Sequence, residues 1–186
     1  MKLNLGCGFK KRPGFVNCDV QPACNPDRLI DLESLPWPFE DSVVDEILLS
    51  HVLEHLGESS KVYLGIIKEI YRVCAPEALV SIIVPYPLHD DFLIDPTHVR
   101  PIMPAQFGMF SKKECKRWRE GGYGVTPLAD YIDVDFEIED VRWILDERWT
   151  RRMRNGEFTS EQLTEMAKYQ FNIVRETQIQ LRVKKG

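Results

Sequence analysis

Leu3-Asn4-Leu5-Gly6-Cys7-Gly8, followed closely by Phe15-Val16-Asn17-Cys18-Asp19, is the stretch that decides the fold. Leu3-Asn4-Leu5 predicts a short strand that runs straight into a glycine turn. Gly6 and Gly8 permit that turn and let a ligand approach the backbone, where a side chain would stand in the way. Phe15 to Cys18 predicts a second strand, and Asp19 puts a carboxylate at its end. A carboxylate in that place can accept hydrogen bonds from both hydroxyls of a ribose. The interval from Gly8 to Asp19 is short, so the first crossover helix is expected to be short or missing. The dinucleotide fingerprint asks for a third glycine three residues on. Lys11 stands there, which counts against a nicotinamide or flavin site.

Outward from this stretch, Leu29-Ile30 predicts a third short strand. Val43 to Leu49 is a nearly continuous apolar run, as expected of a strand covered on both faces. Ser59 or Ser60 can cap a helix to about Cys74, whose Val62, Ile66, Ile67, Ile70 and Cys74 fall on one stripe. Ala78 to Val84 predicts a fifth strand, stopped by Pro85. Strands alternating with helices or crossovers imply a parallel sheet. The second half differs. Ser111 and Glu114 form a capping box before a helix over Lys112–Glu120, which Gly121-Gly122 ends. Phe136–Val141 and Gln178–Val183 alternate like strands, with a helix near Ser160–Phe171 between them. Two late alternating strands fit an antiparallel pair at the sheet edge.

The chain has 186 residues, and 44% are apolar and 28% charged, an ordinary globular mix that predicts one domain over 1–186. Its formal net charge of −5 argues against bare nucleic acid as the partner. Basic residues do gather at Lys112–Arg119 and Arg148–Arg154, and each group reads first as a solvated helix face or loop. No apolar run suits a signal peptide or a membrane span, so the expected location is the cytoplasm. Five cysteines, with no pair at CxxC spacing, argue for free thiols and against a disulfide framework or a zinc knuckle.

A third block fixes the resemblance. Asp31-Leu32 precedes Leu35-Pro36-Trp37-Pro38-Phe39-Glu40-Asp41, Val44-Asp45 follows, and Ser50-His51-Val52-Leu53-Glu54-His55-Leu56 closes the run. In this order the motifs resemble the class I S-adenosylmethionine-dependent methyltransferases, in particular the methyltransferase type 11 family. The resemblance covers about Leu3 to Pro85. It implies a Rossmann-like, doubly wound α/β fold with a mostly parallel sheet, residues 1–85 binding S-adenosylmethionine and 86–186 serving the acceptor. It also implies site roles. Gly6, Cys7 and Gly8 would lie beside the methionine part of the cofactor. Asp19 would hold the ribose, with Val20 under the adenine. Asp31 would accept the adenine amino group, and the Leu32 N–H would meet a ring nitrogen. Ser50 and His51 would lie near the sulfonium and the acceptor.

Methyl transfer from a sulfonium needs alignment and exclusion of water. An oxygen or nitrogen acceptor must also lose a proton, so a nearby base helps. His51, His89 and His98 are the expected catalytic candidates. His89 and His98 belong to the long loop Pro85–Pro101, which starts where ligands bind open parallel sheets and is expected to line the acceptor pocket. No metal is expected: His51 and His55 stand four apart without an obvious third ligand, and a set of His89, Asp91, Asp95 and His98 is loosely spaced. Trp37, Phe92, Phe107, Phe110 and Trp118 read as core before they read as substrate cover. The chain lacks the Pro-Cys pair of cytosine C5 enzymes and an Asp/Asn-Pro-Pro-Tyr run after strand four. A small-molecule acceptor therefore leads, with protein or RNA acceptors still open. The alternatives are a non-catalytic module that binds S-adenosylmethionine or S-adenosylhomocysteine and, behind it, a nicotinamide-dependent oxidoreductase.

Overall fold

The computed structural model describes residues 1–185. Seven strands form one sheet: β1 (Lys2–Leu5), β2 (Val16–Asp19), β3 (Arg28–Leu29), β4 (Val44–Ser50), β5 (Cys74–Pro85), β6 (Phe136–Leu145) and β7 (Val174–Val183). Their order is β3-β2-β1-β4-β5-β7-β6. β1 to β5 pair in parallel, and β7 lies antiparallel between β5 and β6. The mostly parallel sheet with an antiparallel pair at its edge is as expected. The order reverses between β1 and β4, which creates the crevice where such sheets take ligands.

Register decides which side chains share a face. Leu3, Ile47, Val80 and Leu181 are neighbours across four strands, and Leu5, Leu49, Ile82 and Ile179 form the next row. All eight are buried. On this face pack α1 (Ser60–Val73), through Ile66, Ile67, Ile70 and Val73, and the segment that holds Phe107 and Phe110. The remaining helices are α2 (Asp90–Leu93), α3 (Lys112–Glu120), α4 (Leu128–Ile132), α5 (Glu147–Arg154) and α6 (Ser160–Met166). The opposite face carries Asn4, Leu48, Ser81 and Gln180 in one row and Lys2, Glu46, Leu79 and Arg182 in another. Among the described residues no α-helix joins β1 to β2, β2 to β3 or β3 to β4. The first crossover therefore carries no helix, and a loop that includes Arg12 and Phe15 lies over this more polar face.

Three local departures have physical reasons. β5 starts at Cys74, directly after α1, because the register with β4 shifts between Val44 and Glu46 and absorbs a bulge that includes Pro76 and left-handed Glu77. Proline and charge there hide the strand from an apolar-run reading. α6 stops at Met166, short of Phe171, and Tyr169 and Phe171 are exposed. The basic cluster Arg148–Arg154, expected as a solvated helix face or loop, forms α5. Asp146 caps it by accepting the Arg148 N–H at 2.9 Å, and Trp149 and Met153 pack with Tyr86 and Leu163 in a second small core.

The loop before β4 is clamped to α1 by one ion pair. Glu69 accepts the Trp37 N–H at 2.8 Å, and Arg72 donates to Glu69 at 2.8 and 2.7 Å, to the Phe39 carbonyl at 2.9 Å and to the Trp37 carbonyl at 3.1 Å. Burial works to raise the Glu69 pKa, but the Arg72 and Trp37 hydrogen bonds outweigh it and hold the carboxyl below its usual range. Arg72→Ala should cost about 3 kcal/mol in urea unfolding at neutral pH, because it strands a buried carboxylate. A depressed carboxyl contributes stability above its unfolded pKa and loses it as pH falls through the folded value. The gap between variant and wild type should therefore narrow from about pH 5 to about pH 3. A gap that is negligible at neutral pH, or constant with pH, would contradict the clamp.

Candidate functional site

The carboxyl ends of β1, β2 and β4 open into a cavity of about 240 Å³. Gly6, Asp19, Val20, Ile30, Asp31, Leu32, His51, Val52, His55 and Leu56 line it. A second cavity, of about 280 Å³, lies on the polar sheet face away from the strand ends. Only the first sits at the switch point of the strand order.

Gly6 leaves β1 in the left-handed region at φ +64°, and a Cβ there would fall 2.4 Å from Val52 Cγ2. Only glycine fits. The Gly8 N–H donates to Asp19 Oδ2 at 2.7 Å, and the Gln21 N–H donates to Asp19 Oδ1 at 2.9 Å. Asp19 thus holds the glycine turn as well as facing the cavity. Each carboxylate oxygen keeps a further lone pair for a ligand. The Cys7 N–H donates to the Cys18 carbonyl at 2.9 Å and ties the turn to β2. Cys7, Gly8 and Ser50 frame the cavity without lining it.

Asp31 forms the opposite wall. Its oxygens accept the Ser34 hydroxyl at 2.7 Å and the Glu33 N–H at 2.9 Å, and these bonds hold its pKa below the usual carboxylate range. The Leu32 carbonyl accepts Trp37 Nε1–H at 3.0 Å, so the buried indole supports the wall from beneath. Val20 is half exposed and offers an apolar platform.

His51 closes the cavity at the end of β4. It is a non-glycine residue at φ +56°, a strained conformation of the kind that gathers at functional sites. Its Nε2 lies 3.2 Å from Glu176 Oε2 and its Nδ1 lies 3.6 Å from Glu54 Oε1. Glu54 is the main cause of a raised imidazole pKa, burial opposes it, and Glu176 adds to it. At 3.6 Å the Glu54 contact is electrostatic and is not a hydrogen bond.

The loop after β5 divides. Its first part turns toward the second core: buried His89 accepts the Asp91 N–H on Nδ1 at 3.0 Å, and its Nε2 lies 3.5 Å from Asp146. His89 is not brought to the cavity, because Tyr86 and Leu88 anchor this part under α5 and α6. The later part returns, and the Val99 N–H donates to the Glu54 carbonyl at 2.9 Å. It sets His98 against His55, with ring centroids 4.5 Å apart, and stacks His98 on Phe92. His98 stands behind the cavity wall and is not part of its lining. Of the aromatic residues singled out in the sequence, Trp37, Phe107 and Phe110 are core.

Ile30, Val52, His55, Leu56 and Glu176 are neighbours of the site that sequence reading did not assign to it. Val52 and Leu56 stood within the quoted block after strand four. Glu176 carried no local signal, because only the antiparallel insertion of β7 brings it to the end of β5, opposite Pro85.

Residues 14–82 match the family model for a methyltransferase domain. No curated protein matches the chain. Among solved structures, a SAM-dependent methyltransferase from Archaeoglobus fulgidus aligns at 16% identity with a TM-score of 0.61, over 97% of this chain and 85% of that one. A S-adenosylmethionine-dependent methyltransferase from Mesorhizobium loti aligns at 16% identity and a TM-score of 0.52, over 97% and 90%. The [4+2]-cyclase SpnF shares the fold at 16% identity and a TM-score of 0.54, over 100% and 75%. With the matched domain, the strand order and the acidic cavity at the switch point together, the chain has the fold of the S-adenosylmethionine-dependent methyltransferases, and its residues 14–82 are similar to their methyltransferase domain.

Proposed function

We propose that the chain methylates an oxygen or nitrogen of a small-molecule acceptor, with His51 as the side chain that receives the acceptor's proton. One observation carries this reading: His51 is held in a strained backbone conformation on the wall of the cavity that also contains Asp19 and Asp31. In the proposed arrangement Asp19 accepts both ribose hydroxyls, Val20 underlies the adenine, and Asp31 and the Leu32 N–H read its edge. Gly6, Cys7 and Gly8 run beside the methionine part. Among the described residues no helix lies between Gly8 and β2, so the methionine carboxylate would be held without the helix N-terminus that commonly binds anions. Ser50 and His51 then flank the sulfonium.

The acceptor's lone pair attacks the methyl carbon in line, the carbon–sulfur bond breaks, and S-adenosylhomocysteine leaves. The acceptor's proton passes to the His51 ring, which Glu54 and Glu176 orient. Positioning and exclusion of water supply most of the rate. His98 is a poorer candidate from its place behind His55, and His89 is withdrawn as a base. The free cysteines suit the cytoplasm, where the chain would act as one domain over 1–186. No described helix is long and apolar enough to cross a membrane.

Calorimetry with S-adenosylhomocysteine should find about one site per chain. Asp19→Ala should weaken it strongly, since two charge-assisted bonds of roughly 1.5–3 kcal/mol each are lost and the Gly8 turn is released. Asp31→Ala should cost less, because a single contact is at stake. Unchanged affinity in a folded Asp19→Ala chain, or a larger loss at Asp31, would overturn these roles.

Once an acceptor is found by screening with labelled cofactor, His51→Ala should lower turnover roughly 10²–10⁴-fold. Cofactor affinity should change only a few-fold. Near-normal turnover in that variant would remove His51 as the base.

A further inference from the structure

We propose that Glu54, His55 and His98 form a binding site for one divalent transition-metal ion, of the Zn²⁺ class, at the edge of the cofactor cavity. One donor atom from each residue lies within 4.8 Å of the others. Bonds of about 2.0–2.2 Å would require the three to close around an ion.

Glu54 supplies the strongest argument. Its side chain is 1% exposed, and neither carboxylate oxygen has a hydrogen-bond partner. The basic nitrogen facing it within 4 Å, among the described residues, is His51 Nδ1 at 3.6 Å. The Arg100 N–H donates to the Glu54 backbone carbonyl, whereas the Arg100 guanidinium sits over the Tyr63 ring and donates to the Gly57 carbonyl. A buried carboxylate with both oxygens unsatisfied is costly. A cation held between it and two imidazoles would offset that cost.

The histidines are prepared for such a role. Thr97 Oγ1–H donates to Asp95 Oδ1 at 2.6 Å, so the Thr97 oxygen is left to accept from His55 Nδ1–H at 2.9 Å. His98 Nδ1–H donates to the Phe92 carbonyl at 2.7 Å. Both rings therefore carry their proton on Nδ1 and keep an Nε2 lone pair. A carbonyl or carboxylate that fixes the second ring nitrogen is the usual support of a metal-bound histidine. Asp95 Oδ2 is 3.9 Å from His98 Nε2, too far for a hydrogen bond to claim that lone pair. Two imidazoles and one carboxylate suit Zn²⁺ or a similar first-row ion, and three protein ligands leave a position open. His55 also lines the cofactor cavity, so an acceptor hydroxyl reaching that open position would give up its proton more readily.

The test is calorimetric titration of the chelator-treated full chain with ZnCl₂, followed by thermal melting. One ion per chain is expected. Glu54→Gln and His98→Ala should each weaken uptake about 100-fold or more, and Thr97→Val about 10-fold. His89→Ala should leave it unchanged. Zinc should raise the melting temperature of wild type but not of Glu54→Gln. Without zinc, Glu54→Gln should melt no lower than wild type, since it removes a buried charge that has no hydrogen bond and keeps the shape. S-adenosylhomocysteine affinity is measured on the same zinc-free samples. Retained cofactor binding with no zinc uptake would overturn the metal site alone. Uptake undiminished in both Glu54→Gln and His98→Ala would overturn the ligand assignment.

Discussion

The site depends on the close approach of Gly6 to Val52. β1 and β4 are neighbours whose chains leave in different directions, and Gly6 turns away directly against the Val52 side chain. A single added carbon would collide there. The turn places Gly8 where its N–H meets Asp19, so one carboxylate fixes the turn and faces the ligand space. Val52 in turn follows His51, so a shift of the glycine turn would carry through to the histidine on the far wall. Wall, floor and the histidine proposed as the base are coupled through one contact.

The first half of the sheet was legible because its signals are local. Gly6 and Gly8 mark the turn, Asp19 marks the end of β2, and the continuous run after Val43 marks a buried central strand. Short range also explains why Asp31 could be placed: Ser34 and Glu33, its partners, are within three residues. The second half was less legible because its geometry is non-local. Whether His89 or His98 reaches the cavity depends on where the loop after β5 divides. That is set by Tyr86 and Leu88 packing against the second core and by Val99 binding the Glu54 carbonyl. Neither contact leaves a pattern in sequence spacing. Glu176 is remoter still, 125 positions from His51. β5 runs longer than its apolar stretch for a different reason: Pro76 and Glu77 look like a terminus and are a bulge.

The sheet has an uneven cover. One face is closed by α1, the Phe107–Phe110 segment and the short helices that follow, and it carries the apolar rows. The other carries Asn4, Ser81, Gln180 and Glu46 beneath a loop, in keeping with the absence of an α-helix between β1 and β4 among the described residues. Polar side chains in the second row are what a sheet face needs when water and a loop replace a packed helix. The compact first half thus preserves the strand ends that make the cavity while dispensing with most of the layer behind them.

A crystal structure of the chain with S-adenosylhomocysteine tests the central claim most directly. The account predicts the ribose hydroxyls within hydrogen-bond distance of Asp19, the adenine between Val20 and Leu32 with its amino group toward Asp31, and the sulfur on the His51 side of the cavity. Ordered cofactor elsewhere, or bound in this cavity with its ribose away from Asp19, would contradict it.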